Sequence, residues 1–192
     1  MPVTRASSAP ATYDDLKQLP DYVIGQIVDG ELHASPRPAF GHARVSSTLG
    51  YELIGPFDRG RGGPGGWWII YEPELHLGRD ILVPDLAGWR KTRMPKPPAA
   101  AEPFVTLAPD WVCEVLSPST ASLDRVKKKH VYAREGVGHV WLIDPLAKTL
   151  EVFRLSGGQW LELGTWGADE KVRAEPFEAI ELELSGLWIP EE

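Results

Sequence analysis

Apolar residues along this chain fall mostly into short runs broken by glycine, proline and aspartate, and few stretches repeat with a helical period. Residues 41–53 place Val45, Leu49 and Leu53 four apart on one face, which predicts an amphipathic helix. Residues 122–135 predict another, stopped by Gly136. A shorter helix opens at Thr12-Tyr13-Asp14-Asp15, where a capping hydroxyl precedes acids in the first turn, and ends at Pro20. The other runs read as strands. Residues 22–28 and 31–34 flank Asp29-Gly30, a strong hairpin signal. Residues 67–71 begin a strand that 74–77 continue, and Gly78-Arg79-Asp80 turns the chain into 81–83. Pro84 has no amide donor and marks the end of that run. Residues 111–116 form the next strand, and 140–143 are apolar throughout, as suits a strand buried on both faces. Residues 150–155 and 159–163 predict a hairpin across Gly157-Gly158, and 180–184 a last strand. Residues 60–66 read as a flexible glycine loop and 91–109 as a proline- and alanine-rich excursion. Strands with a helical layer between Glu114 and Val140 predict an α/β or α+β fold around a mixed sheet.

Composition narrows the class. A length of 192 residues, 43% hydrophobic and 24% charged, suits one soluble globular domain with a real core. The core is expected over about 12–187, with 1–11 a flexible tail. The single cysteine, Cys113, lies in an apolar run and has no partner for an internal disulfide, which points to a reducing compartment. The first twelve residues hold no apolar stretch of signal-peptide type, and no segment approaches the ~20 apolar residues of a spanning helix. The expectation is a cytoplasmic protein without a membrane partner. A net charge of −7 has the wrong overall sign for a nucleic-acid binder, so any such contact must come from local basic stretches.

Two acids stand out. Asp85 closes Ile81-Leu82-Val83-Pro84-Asp85, and Glu114 lies inside Trp111-Val112-Cys113-Glu114-Val115-Leu116. Burying an isolated carboxylate is costly, so acids in such runs call for a cationic partner or a metal. An acid at a strand end is also a common turn former or cap, and for Asp85 that alternative stays open. Glu114 has apolar neighbours on both sides and shares its strand face with Val112 and Leu116. Lys127-Lys128-Lys129 reads by default as a solvated helix face. Successive helical residues are about 100° apart, however, so one of the three must lean towards the sheet. Lys128 follows Asp124 by four and can pair with it. Magnesium takes one or two carboxylates, several waters and substrate phosphate. A lysine nearby can orient water or neutralise developing charge. Asp85, Glu114 and Lys128 supply those parts.

Other chemistries find less support. The five histidines show no metal-ligand spacing, no Gly-x-Ser-x-Gly elbow occurs, and the glycine loop lacks the Gly-Lys-Ser/Thr ending of a phosphate-binding loop.

The order Val83-Pro84-Asp85, Glu114-Val115-Leu116-Ser117-Pro118-Ser119-Thr120, Asp124 to Lys128, Tyr132-Ala133-Arg134-Glu135-Gly136-Val137 and Trp141-Leu142-Ile143-Asp144-Pro145 resembles the Uma2 family. That family is a bacterial set of restriction-endonuclease-like proteins in the PD-(D/E)xK nuclease superfamily. The Val28-Asp29-Gly30-Glu31-Leu32 hairpin and the Gly41-His42 helix start fit it as well. The resemblance implies a restriction-endonuclease-like mixed sheet flanked by helices, with an N-terminal hairpin. It implies Asp85 and Glu114 as carboxylates for Mg²⁺ or Mn²⁺, with the Val115 carbonyl as a third ligand. The superfamily's lysine usually stands two residues after the second acid, where this chain has Leu116; Lys128 aligns with the family's basic residue instead. His42, Asp124 and Gln26 are supporting candidates, and Gln26 stands where family members usually carry glutamate. The expected activity is metal-dependent hydrolysis of DNA phosphodiesters. Arg90, Lys91, Arg93, Lys96, Arg125, Lys127 and Lys129 are the candidate phosphate contacts. A catalytically silent binding module and a nuclease acting on RNA are the rival classes. A homodimer is expected from apolar surface at a sheet edge.

Overall fold

The computed structural model describes residues 9–190. The expected tail over 1–11 lies outside them except for its last three residues, where the Ala11 amide donates to the Gly30 carbonyl at 2.8 Å. A short helix α1 (Tyr13–Lys17) leads into the hairpin of β1 (Val23–Val28) and β2 (Glu31–Pro36). Asp29 and Gly30 turn it at φ of 51° and 80°, the left-handed pair that a two-residue type I′ turn demands. Helix α2 (Phe40–Leu53) buries Val45, Ser46, Leu49, Gly50 and Leu53 and runs on into a π-helical turn, Ile54–Asp58.

Eight further strands complete two main sheets: β3 (Trp67–Tyr71), β4 (Leu75–Leu77), β5 (Asp80–Leu82), β6 (Leu86–Arg90), β7 (Trp111–Val115), β8 (His139–Asp144), β9 (Thr149–Ser156) and β10 (Gln159–Gly167). The larger sheet has the order β10-β9-β8-β7-β6-β3, and the smaller β2-β1-β5-β4. β7 and β8 run parallel, and their crossover carries a π-helical segment, Leu123–Lys128, and α3 (Lys129–Arg134). Gly136, at φ 76°, ends that helix as expected. The fold is thus a mixed α+β architecture with the predicted hairpin and helical layer.

Three expectations change. Residues 74–77 do not continue β3: Glu72 at φ 41° and Pro73 break the chain there, and β4 crosses to pair with β5 in the smaller sheet. Leu86–Arg90, not anticipated as a strand, is a central one, paired with both β3 and β7. Gly88 obscures it, because glycine weakens strand propensity. Its bare Cα is needed, since a Cβ there would come within 3.1 Å of the Trp111 ring and 3.3 Å of the Trp67 ring. The expected last strand shrinks to Leu182–Glu183, paired with Lys171–Val172 and followed by a 3₁₀ turn, Leu184–Leu187.

Apolar residues pack on both faces of the large sheet. Trp111, Cys113 and Val115 face one cluster with Val45, Leu49, Phe177 and Leu187. Val112, Leu116, Val140 and Leu142 face the other with Val131 and Tyr132 of α3. Glu114 shares the second face and stands as a carboxylate inside an apolar layer. Overfilling the first face should be costly: Gly88→Val forces two indoles apart and is expected to destabilise by about 1–3 kcal/mol in urea unfolding. An unchanged midpoint would show that the rings yield freely.

Candidate active site

Asp85 and Glu114 approach each other because β6 and β7 are neighbours in register, Leu86 opposite Cys113. Asp85 lies in the short passage between β5 and β6, where the chain crosses from one sheet to the other. Its Oδ2 accepts the Val115 amide at 2.7 Å, which fixes the carboxylate against the end of β7. Glu114 is 2% exposed. The crossover helix brings its partner: Lys128 Nζ stands 2.7 Å from Glu114 Oε1 and 3.2 Å from Asp124 Oδ1. Tyr132 donates its hydroxyl to the same Oε1 at 2.5 Å. Asp124, Lys128 and Tyr132 are spaced by four, so one helix face presents acid, ammonium and phenol in a column. The π-helical widening lies under Asp124 and Lys128, a distortion often found at functional sites.

Two further residues hold the Asp85 side of the site. His42 Nε2 is 3.3 Å from Asp85 Oδ1, and its buried Nδ1 has no hydrogen-bond partner. Gln26 Oε1 accepts the Val83 amide at 2.9 Å, bracing the chain two residues before Asp85. Asp85, Glu114, Asp124, Lys128, His42 and Gln26 line a cavity of about 270 Å³, together with Pro36 to Pro38 and Ser117 to Thr120. It opens beyond the C-terminal end of β7 at a parallel crossover, where ligand sites of α/β sheets tend to form.

Burial pushes the Glu114 carboxyl up to about 8, Asp124 and Asp85 add to the rise, and Lys128 opposes it. Burial alone would lower Lys128, but Glu114 and Asp124 outweigh it and hold the ammonium above its ordinary value. Burial would likewise lower His42, yet the Asp85 hydrogen bond and charge, with the Val115 carbonyl, raise it. Burial and Glu114 push the Tyr132 phenol well up. At Glu114, burial with the Asp124 and Asp85 charges thus outweighs the Lys128 ammonium.

The structure brings together Asp85, Glu114, Lys128, Asp124, His42, Gln26 and the Val115 backbone. It does not bring the candidate phosphate contacts with them. None of Arg90, Lys91, Arg93, Lys96, Arg125, Lys127 or Lys129 lines the cavity. Arg90 lies over Trp67 at the far end of β6, Lys91 pairs with Asp58 and Arg93 with Asp110. Arg125 is held by Glu151, Lys127 by Glu31, and Lys129 sits over the Phe153 ring. Tyr132 is the residue that sequence reasoning missed. Its four-residue step from Lys128 was the available signal.

No group of three or more His, Cys, Asp or Glu side chains able to cage a metal occurs among the described residues. A dedicated all-protein cage is therefore not what these residues build. The donor set that is present, two hard carboxylates and a carbonyl beside an open cavity, is the set a largely hydrated magnesium ion accepts.

No curated protein matches the sequence. A crystal structure titled as a putative nuclease belonging to DUF820 from Anabaena variabilis ATCC 29413 superposes with a TM-score of 0.73 at 22% identity, covering 93% of this chain and 97% of that one. The shared architecture therefore spans nearly all of the chain. Residues 10–185 match the Uma2 family model, described as "Putative restriction endonuclease". The protein is a member of the Uma2 family.

Proposed function

We propose that this protein is a Mg²⁺- or Mn²⁺-dependent endonuclease that hydrolyses phosphodiester bonds in DNA. The observation that carries the reading is the convergence of Asp85 and Glu114 on one cavity, with the Lys128 ammonium 2.7 Å from Glu114. Asp85, Glu114 and the Val115 carbonyl would hold the ion. When bound it supplies an acidified water and compensates charge on the phosphodiester. The chain's own groups do the rest. Lys128 stays protonated, so it orients water and offsets negative charge instead of accepting a proton. Asp124 and Tyr132 position Lys128 and Glu114, while the Val115 amide and His42 fix Asp85.

The test is nicking of supercoiled plasmid with Mg²⁺ or Mn²⁺. Asp85→Ala and Glu114→Gln should each reduce the rate roughly a hundredfold or more. Cleavage that survives both changes overturns the assignment. Lys128→Met should also abolish nicking, but it leaves Glu114 and Asp124 buried without a counter-charge and should cost about 3–5 kcal/mol of stability. Asp85→Ala, at a partly open position, should fold with a much smaller loss.

Glu114 also sets a pH dependence. Its folded value of about 8 lies above the 4.5 of a free side chain. Between those values the folded protein holds a proton that the unfolded chain has released, so stability falls as pH rises. His42, raised above 6.5, declines in the same direction through neutral pH. Metal-free Glu114→Gln protein should therefore lose less stability than wild type between about pH 5 and pH 8. Equal slopes in urea melts would show that Glu114 ionises like a free glutamate.

The same reading takes residues 1–192 as one domain with a core of about 12–187, working in the cytoplasm as a homodimer. No helix among the described residues is long and apolar enough to cross a membrane. Edge strand β3 exposes Ile70 and Tyr71, and edge strand β10 exposes Leu161. Sedimentation should give a dimer at micromolar concentration; a monomer alone removes that element.

A further inference from the structure

The outer face of α2 and the glycine loop after it have no part in the site described above. Phe40, Arg44, Ser47 and Tyr51 are spaced by four, three and four, so they form one stripe, and all four are exposed. Phe40 is 78% and Tyr51 79% exposed, among the most exposed aromatics of the described residues. At the C-terminal end of the stripe lies a shallow cavity of about 490 Å³, lined by Ser47, Tyr51, Ile54, Gly55, Arg59, Arg61 and Tyr71. Two arginines and two phenols face it, and no carboxylate does. That is unusual in a chain of net charge −7, whose other cations mostly hold an acid. Among the described residues no ion pair is seen for Arg44, Arg59 or Arg61; Arg44 makes a long contact, 3.4 Å, to the Gly186 carbonyl.

The loop presents its arginines from a fixed backbone. The Arg59 amide donates to Ile54, that of Arg61 to Gly55 and that of Gly65 to Pro56. Gly63 packs so closely on Pro56 that a Cβ would fall 2.9 Å from its Cα. Gly60 and Gly62 take φ of 66° and 76°, which side chains rarely adopt. The segment expected to be a flexible loop is thus tied to the π-helical turn.

We infer that this face binds an unpaired DNA strand, with Arg59 and Arg61 on phosphates and Tyr51 stacked on a base. The identity of the ligand rests on the nuclease reading; the chemistry of the site does not. Guanidinium groups recognise phosphate oxygens, and exposed rings supply stacking that duplex bases cannot use. A duplex footprint of six to ten phosphates would need a broad field of free cations, and most cations here are already paired. The stripe is also continuous with the catalytic cavity. Ala39, beside Phe40, lines that cavity, and Phe40 to Tyr51 spans about 16 Å of helix. Tyr71, in the wall of the second cavity, pairs with Leu86, the neighbour of Asp85. A strand seated on Tyr51 and the arginines can therefore run along α2 towards Asp85.

The experiment is fluorescence anisotropy with a short fluorescein-labelled single-stranded oligonucleotide, in EDTA so that nothing is cut, over a range of salt. Wild type should bind it more tightly than the matching duplex. The double variant R59A/R61A should weaken binding about tenfold and make the salt slope shallower by about 1.4, two contacts' worth for a single strand. Tyr51→Ala should weaken binding of the intact strand but not of an abasic strand of equal length. All three positions are exposed, so thermal melts should match wild type. Unchanged affinity and salt slope in R59A/R61A, or a preference for duplex, overturns the inference. Asp85→Ala separates the two proposals. If R59A/R61A loses binding while plasmid nicking never depends on Asp85, the strand site stands and the nuclease reading fails. If nicking needs Asp85 but R59A/R61A binds normally, the reverse holds.

Discussion

A single buried ammonium governs the geometry of the site. Lys128 is 1% exposed, and an uncompensated charge at that depth would be strongly destabilising. The crossover helix must therefore lie where both Glu114 and Asp124 reach Nζ, which sets its position against β7. Asp124 comes from the same helix, so that contact is local, whereas Glu114 ties the helix to the sheet. Tyr132, one step further along, adds a proton donor to the same carboxylate oxygen. A matched set of apolar residues would pack this layer with equal or greater stability. The charged column thus makes poor sense as a stabilising device and better sense as a prepared electrostatic environment.

Much of that column is legible in the sequence. Alternation along β7 put Glu114 with Val112 and Leu116, and helical periodicity forced one of three consecutive lysines inward. Asp124 and Lys128 were paired by spacing alone. Tyr132 stayed hidden because a tyrosine in an apolar stretch reads as core, which by burial it also is. The central strand β6 stayed hidden because its middle residue is a glycine, and the need for that glycine comes from indoles on two other strands. Break points such as Glu72-Pro73 were visible as residues, but not the change of sheet that they permit.

Long-range partners explain why the candidate phosphate contacts on the crossover helix are not free cations. Lys127 is neutralised by Glu31, 96 positions away, and Arg125 by Glu151, 26 positions away. Neither acid is adjacent in sequence, so a basic cluster on one helix looked free when it was not. The same effect works in reverse for Arg59 and Arg61. Inside a glycine loop they looked like part of a flexible connector, and only the fold shows them beside two tyrosines with no acid facing them.

The two departures, Leu116 from the superfamily pattern and Gln26 from the family's, then have a common physical account. Leu116 occupies the usual lysine position but packs among Val131, Tyr132 and Leu142, and the ammonium arrives from the opposite side of the layer. Delivering it from a helix makes a second acid necessary, because Lys128 leaves water entirely and Glu114 alone would not hold it as firmly. Asp124 supplies that acid, and its charge adds to the rise that burial already imposes on Glu114. A carboxylate at position 26, lining the same cavity, would add to that rise. Gln26 keeps an oxygen acceptor for the Val83 amide without contributing charge. The neutral amide therefore preserves the bracing of Asp85 while leaving Glu114 easier to ionise than a fourth acid would.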